Sequence, residues 1–245
     1  QGGLGLNDKV NRSSTTQIGT GTDWGSFKTM DTTGATAFVV KSDNTAWVWG
    51  SGWGGGLGLN DNPAYQSYSS PIQLPGSWSS IRAGGTRLGV KTAGTLWSWG
   101  YVGNGLSGLN VNNSRRSSPT QIGTDTDWSS EISVSGTEAA CIKTDGSLWM
   151  WGANSYGNLA QNGGPSKSSP IQVGSDTTWR DLAIGMYYTV ATKTDDSLWT
   201  WGFNHGTGTL GNNTSYVDLS SPIQVPGSWA DPNVSRQASW ALKKL

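Results

Sequence analysis

The side chains that could act as nucleophiles, acids, bases or metal ligands are few and scattered. The chain has one histidine, His205, in a glycine-rich loop, and one cysteine, Cys141, in an apolar run. A single histidine and a single cysteine exclude most zinc-type sites, and a Ser-His-Asp triad would have to use His205. Acidic residues fall singly at turns, as at Asp43, Asp145 and Asp195, so neither a carboxylate pair nor a calcium loop is indicated. We therefore expect a non-enzyme with no catalytic residue, no metal and no cofactor, in which Cys141 is a small buried hydrophobe.

Charge and hydropathy exclude two further classes of partner. The 16 acidic and 16 basic side chains give a net charge of zero, which argues against electrostatic binding to nucleic acid or to an anionic membrane. No apolar run approaches the ~20 residues that a membrane-spanning helix needs. The chain begins with Gln1 rather than Met and shows no signal peptide, which indicates processing, trimming or a fragment. We expect no nucleic-acid partner and no membrane insertion.

The positions of tryptophan are the strongest pattern in the sequence. Four copies of Trp-x-Trp-Gly place their second tryptophans at Trp49, Trp99, Trp151 and Trp201, in steps of 50, 52 and 50 residues. A near-constant period of this size marks a repeat protein. Tryptophans two residues apart share one face of an extended strand, so each copy predicts a strand with an aromatic face and a glycine stop. We interpret these residues as core, together with a second periodic set: Trp24, Trp78, Trp128, Trp179 and Trp229.

Each period contains four short extended runs separated by Gly, Asp, Asn and Ser turn signals, with no helical periodicity. A Ser-Ser-Pro run begins most periods, and its proline predicts a strand start or a sheet edge. A lysine also recurs before a turn, and we interpret it as a solvated surface residue: Lys41, Lys91, Lys143, Lys193 and Lys243. Four strands in ~50 residues is the size of a propeller blade. The sequence therefore predicts an all-β fold, a β-propeller of four-stranded blades.

The combined pattern resembles the regulator of chromosome condensation repeat. The closest match is residues 143–159, in which Lys-Thr-Asp-Gly is followed by Leu-Trp-x-Trp-Gly and an Asn/Gly-rich loop. The resemblance covers essentially the whole chain and implies a β-propeller. Because the repeats are very regular and rich in Trp, Gly and Ser, they resemble members encoded by phages and bacteria more than the nuclear proteins.

Two features depart from that family. Its repeats usually carry a histidine five positions before the lysine, and this chain has other residues there: Thr36, Thr86, Glu138, Tyr188 and Ala238. The eukaryotic founder is a seven-bladed nucleotide-exchange factor, which at this period would need ~350 residues. Its exchange role also depends on elements outside the repeat consensus. The resemblance thus implies the fold and not the exchange activity.

The repeats favour a single domain over residues 1–245. The predicted units are residues 13–68, 69–116, 117–167 and 168–219, with a fifth made of 220–245 plus 1–12. Residues 1–12 resemble the glycine-rich loop that residues 220–245 lack, so we expect about five blade positions, one of them split between the termini. A segment of a longer propeller stays open as the alternative, because the split blade would lack its Leu-Trp-x-Trp-Gly strand.

Function is expected in the loops that follow each Trp-Gly, because they differ most between periods. They carry Trp53, Tyr101, Tyr156 and His205, side chains that stack or form hydrogen bonds at binding sites. We expect a binding module, first of all a virion or cell-surface display or adhesion component that binds a protein or a surface glycan within a larger assembly. The alternative is a cytoplasmic protein-binding scaffold whose partner is a small GTPase or another protein, as the family resemblance implies.

Residues 1–12 are predicted to pack beside residues 220–245. Nitroxide labels on cysteines introduced at Val10 and Ser228 should lie about one sheet spacing apart, ~10 Å plus the reach of the labels. Pulsed electron paramagnetic resonance measures this distance, and a pair at Ser69 and Ser117, one period apart, calibrates it. A separation of several sheet spacings contradicts the split blade and favours the longer propeller.

Overall fold

Strands make up nearly all of the regular structure. The computed structural model describes residues 2–22, 36–60, 66–101, 103–111, 115–204, 208–214, 216–235 and 238–244. Two 3-10 turns, Trp53–Gly55 and Gly103–Gly105, accompany the strands. The strands are β1 (Thr36–Val40), β2 (Thr45–Gly50), β3 (Tyr68–Ala83), β4 (Arg87–Lys91), β5 (Leu96–Tyr101), β6 (Arg115–Gln121), β7 (Trp128–Val134), β8 (Glu138–Lys143), β9 (Leu148–Gly152), β10 (Lys167–Gln172), β11 (Trp179–Ile184), β12 (Tyr188–Lys193), β13 (Leu198–Gly202), β14 (Leu219–Val225), β15 (Trp229–Val234) and β16 (Ser239–Lys243).

The strands form antiparallel sheets in which sequence neighbours are also neighbours in space. Strands β7 to β10 form one four-stranded sheet and β11 to β14 another. Strands β1 to β6 form a continuous order, because the 16-residue β3 pairs with β2 through its first half and with β4 through its second. Strands β15 and β16 pair with each other. The all-β prediction and the four-stranded blades are confirmed.

The Ser-Ser-Pro strand closes the sheet of the preceding period. In the last four-stranded sheet, β13 pairs with β12 on one side and with β14, which contains Pro222, on the other. Strands β6, β10 and β14 all end the strand order in their sheets. A proline lacks the N–H that a central strand must donate, so the edge position suits it. This exchange of a strand joins each sequence period to the one before it.

The chain divides into two compact units, residues 1–102 with 113–126 and residues 103–112 with 127–245. In the first unit, the rings of Trp78 and Trp99 pack with centroids 5.5 Å apart. In the second unit, those of Trp179 and Trp201 pack at 5.9 Å. The single domain, its repeat bounds and the packing of residues 1–12 beside 220–245 stay predictions.

The second tryptophan of each Trp-x-Trp pair lies in the core, as expected. Trp49 is 2% exposed, and Trp99, Trp151 and Trp201 are fully buried. The residue between each pair is buried too, because both faces of these strands are covered: Val48, Ser98, Met150 and Thr200. The described members of the second periodic set are buried or half-buried, whereas Trp24 lies outside the described residues.

Each second tryptophan is also hydrogen-bonded to a loop from the period before it. The indole Nε1 of Trp99 donates to the Gly56 carbonyl at 3.1 Å, and that of Trp151 donates to the Leu106 carbonyl at 2.9 Å. Trp49 and Trp201 make the same bond to Gly3 and Asn158, at 3.0 and 2.9 Å. We call this contact the indole latch. It satisfies a buried donor and ties each sheet to a segment 43 to 46 residues away in sequence.

An asparagine fastens the far end of each latched loop. Asn60 has a φ of 58° and donates its backbone N–H to the Ser117 carbonyl at 2.7 Å. Asparagine tolerates this left-handed conformation better than most residues. The same backbone bond recurs in the other periods, from Asn7 to Ser69, from Asn110 to Ser168 and from Asn162 to Ser220.

The expectation that the repeating lysine is a solvated surface residue is wrong for Lys91, Lys143 and Lys193, whereas Lys243 is exposed as expected. The Lys91 Nζ lies 3.7 Å from the Trp97 ring centroid and 5.3 Å from that of Trp78. Lys143 and Lys193 each lie within 5 Å of two tryptophan rings in the same way, and Lys143 is only 9% exposed. The aromatic faces attract the ammonium groups and cover their aliphatic stems.

Replacing Trp151 by alanine should lower the free energy of unfolding by ~3–5 kcal/mol, because it leaves a cavity and removes the latch to Leu106. Urea denaturation followed by circular dichroism measures the change. The control is Trp53→Ala, since Trp53 is 57% exposed and its loss should cost less than ~1 kcal/mol. Equal losses for the two variants would contradict a core role for Trp151.

Candidate functional site

At one end of each sheet the side-chain contacts repeat from period to period, and at the other end they differ. The lysine end repeats the lysine–tryptophan contact from sheet to sheet. The other end, which we call the glycine end, is where β2, β5, β9 and β13 finish at or just after a glycine. Its loops differ between periods, so the glycine end is where side chains for specific recognition are available.

In the first unit, the glycine end carries an exposed tryptophan and arginine in contact. The Arg115 guanidinium carbon lies 4.8 Å from the Trp53 ring centroid, and the Trp53 side chain remains 57% exposed. Tyr101 is 43% exposed and is the register partner of Arg115 between β5 and β6. We call Trp53, Tyr101 and Arg115 the tryptophan–arginine cluster.

The loop that presents Trp53 is held close to the neighbouring strand. Gly55 has a φ of 78°, and a Cβ atom there would lie 2.7 Å from the Arg116 carbonyl oxygen. A glycine is therefore required by conformation and by space at this point. The close approach positions the adjacent Trp53 above β6.

In the second unit, three aromatic rings meet at the glycine end. The Tyr156 ring centroid lies 4.8 Å from that of Phe203 and 5.2 Å from that of Tyr187, in tilted or edge-to-face arrangements. Such geometries are favourable for aromatic pairs. Tyr156 is 37% exposed, and Tyr187 is held at a φ of 69° in the turn between β11 and β12. We call these three residues the tyrosine–phenylalanine cluster.

A buried carboxylate supports the loop that carries Tyr156. The Tyr156 backbone N–H donates to Asn158 Oδ1 at 2.8 Å, and Asn158 Nδ2 donates to Glu138 Oε1. The Ser135 hydroxyl donates to Glu138 Oε2 at 2.6 Å. Burial raises the pKa of Glu138 above its usual value, and the hydrogen bonds from Ser135, Thr137 and Asn158 act in the opposite direction. Glu138 thus positions the loop from a site with no exposure to solvent.

Glu138 stands at one of the five positions where the resembling family has histidine, and the side chains at three of the others, Thr36, Thr86 and Tyr188, also make polar contacts. Thr36 donates to the Ser51 carbonyl and Thr86 to the Trp99 carbonyl, both at 2.8 Å. The Tyr188 hydroxyl is within 2.9 Å of the Ser235 carbonyl and 2.7 Å of the Ala238 carbonyl. Burial raises the pKa of Tyr188 to about 12. Each of these side chains fastens backbone at the glycine end.

Three of the four predicted site residues fall into the two clusters. The structure brings Trp53 and Tyr101 together beside Arg115, and it places Tyr156 in the other unit. His205 lies outside the described residues. Their role in binding stays a prediction.

Sequence reasoning missed Phe203 and Tyr187, which complete the second cluster. Phe203 could have been found from the repeat, since it follows Trp201 by two positions as Tyr101 follows Trp99. No local signal marks Tyr187, because its contact with Tyr156 spans residues 31 positions apart.

Catalytic and metal-binding groups do not converge anywhere in the described part of the chain. No three His, Cys, Asp or Glu residues there are arranged to hold a metal ion. Cys141 is fully buried, as expected, and burial raises the pKa of its thiol, which keeps it from reacting as a thiolate. None of the described helices has the length and apolar character to cross a bilayer.

Comparison with known proteins identifies the repeat. Residues 145–192 match the family model of the regulator of chromosome condensation (RCC1) repeat. The predicted resemblance is confirmed there, while the likeness to phage or bacterial members stays an expectation. No curated protein matches the chain by sequence.

Solved structures identify the fold. Human WBSCR16 superposes with a TM-score of 0.72 and 19% identity, over 84% of this chain and 56% of that one. Prp20p from Saccharomyces cerevisiae, described with its binding to Gsp1p and histones, gives a TM-score of 0.72 and 14% identity, over 86% and 54%. Yeast RCC1 (Prp20) bound to Kap60 gives 0.70 and 15%, over 86% and 52%. The fold is therefore that of the RCC1-type β-propeller, and this chain spans about half the length of these structures.

Replacing Glu138 by glutamine should flatten the pH dependence of stability. The native chain holds the Glu138 proton to a higher pH than the unfolded chain, whose carboxyl has its usual pKa of 4.5. The free energy of unfolding contributed by this group therefore falls as pH rises from 4.5 through the raised native pKa. Urea denaturation at several pH values should show this slope in the wild type and not in Glu138→Gln.

The opposite change provides the control for this titration. Ser135→Ala removes a hydrogen bond that lowers the Glu138 pKa, so the decline should extend to higher pH. An identical slope in the wild type, Glu138→Gln and Ser135→Ala would show that Glu138 does not titrate differently in the native chain.

Proposed function

We propose that this chain is a protein-binding scaffold that performs no chemistry of its own. The observation that carries the proposal is the presence of an exposed aromatic cluster at the glycine end in each unit. Large aromatic side chains and arginine are the commonest anchors of protein interfaces, because they bury much surface with little loss of conformational freedom.

The fold does not need these aromatic residues. Ser51 and Ala153 occupy the positions that Tyr101 and Phe203 occupy in other periods. Trp53, at 57% exposure, contributes little to its unit's core. Side chains that the scaffold can replace by serine or alanine, and that remain partly exposed, are better explained by binding than by packing.

The comparisons support a protein as the partner. Prp20p is described as binding Gsp1p and histones, and yeast RCC1 as bound by Kap60. We therefore favour the intracellular scaffold, with a small GTPase or another protein as partner, over the display or adhesion role. A virion or cell-surface location and a surface-glycan partner at the glycine end have no support from the comparisons. Nucleotide exchange is not part of the proposal, since the exchange role of the resembling family depends on elements outside the repeat consensus.

The test combines the loss of both clusters with a matched control. The experimental variant replaces Trp53, Tyr101, Tyr156 and His205 by alanine. The control variant replaces Trp240 and Leu242, which are 52% and 61% exposed in β16 and belong to neither cluster. Proteins that the wild type retains from an extract of the source organism are purified, and their affinities for all three chains are measured.

We expect the cluster variant to bind its partner at least about tenfold more weakly, and the control to bind as the wild type does. Because the chain has no net charge, the affinity should depend weakly on salt, unlike that of a nucleic-acid contact. Undiminished binding by a folded cluster variant would remove the glycine end from consideration. Acceleration of nucleotide release from a GTPase partner would contradict a scaffold without chemistry.

A further inference from the structure

A second surface with binding character lies at the lysine end of the second unit. An open cleft of about 400 Å³ is lined there by Asn162, Asp176, Trp179, Lys193, Trp199 and Ser221, among others. Tyr187 precedes β12 and Lys193 ends it, so the two lie about 20 Å apart at the usual rise per residue. The cleft is therefore separate from the tyrosine–phenylalanine cluster.

The cleft contains an indole donor without a partner. Trp179 is 4% exposed, and its Nε1 makes no hydrogen bond within the described part of the chain. Two of its equivalents make one, because Trp78 and Trp229 donate to the carbonyls of Pro75 and Pro226, each at 3.2 Å, whereas the Trp128 indole shares the unpaired state of Trp179. A buried N–H of this kind needs an acceptor.

The difference follows the length of the connection that precedes each tryptophan. Three residues separate Leu74 from Trp78, whereas five separate Val173 from Trp179 and Ile122 from Trp128. The longer connection has no proline carbonyl beside the indole, and its residues Gly174 and Asp176 line the cleft instead. The longer connection thus leaves the Trp179 indole N–H unpaired beside an open cleft.

An amide in the same cleft also lacks the bond that its equivalents make. The side-chain oxygens of Asn7, Asn60 and Asn110 accept hydrogen bonds of 2.8 to 3.0 Å from serine hydroxyls. Asn162 keeps the backbone bond to Ser220, but its side chain has no such contact among the described residues. The amide can therefore donate to and accept from a ligand.

The charges in the cleft cancel. The Lys193 Nζ lies 2.5 Å from Asp176 Oδ2, and it also lies 3.9 Å from the Trp199 ring centroid. This hydrogen bond from Lys193 is the largest cause that lowers the pKa of Asp176, to about 2. A charged ligand would compete with this pair, whereas a neutral one leaves it intact.

We infer that this cleft binds a neutral saccharide. Sugar hydroxyls both donate and accept, which suits an indole N–H and an amide that have no protein partners. The C–H faces of a sugar ring suit the apolar surface that Val173, Pro222 and Trp199 contribute. The volume lies within the usual ~300–1,000 Å³ of small-molecule sites.

The tryptophan indole resonances of the whole protein test the proposal. The Trp179 signal is identified by its loss in Trp179→Phe, and the other indole signals report whether that variant folds. Cellobiose, maltose, lactose and diacetylchitobiose are titrated separately, with triglycine and sulfate as the peptide and anion probes. We expect at least one disaccharide to shift the Trp179 signal with a Kd of about 1 mM or tighter, and triglycine and sulfate to leave it unchanged.

A pair of matched variants locates the site. Asn162→Ala should weaken saccharide binding about tenfold, since one or two hydrogen bonds are lost. Asn110→Ala has the same left-handed backbone, with a φ of 56° against 54° for Asn162, but Asn110 does not line the cleft, so binding should be unchanged. The four-residue variant of the glycine end should also bind the saccharide normally, which keeps this result independent of the protein-binding proposal.

Three results would overturn the inference. The first is that no disaccharide moves the Trp179 signal. The second is that triglycine or sulfate moves it as strongly as any sugar, which would assign the cleft to a peptide or an anion. The third is that Asn162→Ala and Asn110→Ala weaken binding equally, which would indicate a general change in the loops.

Discussion

The hydrogen bond from a buried indole to a loop of the preceding period is the constraint on which the rest of the structure depends. A tryptophan supplies a large apolar surface, but its N–H must find an acceptor once it is buried. In this chain the acceptor is a backbone carbonyl 43 to 46 residues earlier, as between Trp99 and Gly56 or Trp201 and Asn158. The glycines that bring the loop close, and the left-handed asparagines that fasten it, follow from that requirement. One contact, repeated four times, thus both buries the tryptophan ring and pairs its N–H with an acceptor.

The latch holds the base of each loop and leaves its tip unconstrained. This explains why neighbouring loops differ at the glycine end while the scaffold around them repeats. Trp53 is exposed in one loop and Tyr156 is partly exposed in another, although both follow the same latched strand pattern. The polar occupants of the variable position, such as Glu138 and Tyr188, then fasten each loop by different bonds. Recognition can therefore diversify without loss of the core.

The lysine end follows a different principle. Its ammonium groups are held over tryptophan rings, so charge and aromatic surface stabilise each other. The five-residue connections before Trp128 and Trp179 leave both indole donors unpaired among the described residues, and the one before Trp179 also lines an open cleft. Small changes in connection length are tolerated in such folds since the strands, and not the loops, carry the apolar core.

The sequence by itself determined the period, the strand class and the burial of residues such as Trp151, because strand alternation and apolar driving force act locally. It also predicted that the Ser-Ser-Pro run starts a strand or lies at a sheet edge, since a missing N–H is a property of the residue. Only the tertiary structure decided that Lys143 lies over two rings, that Tyr187 joins Tyr156 and that the Trp179 N–H has no acceptor among the described residues. These contacts join residues far apart in sequence or depend on the path of a connection, and neither is encoded in the spacing of residue types along one strand.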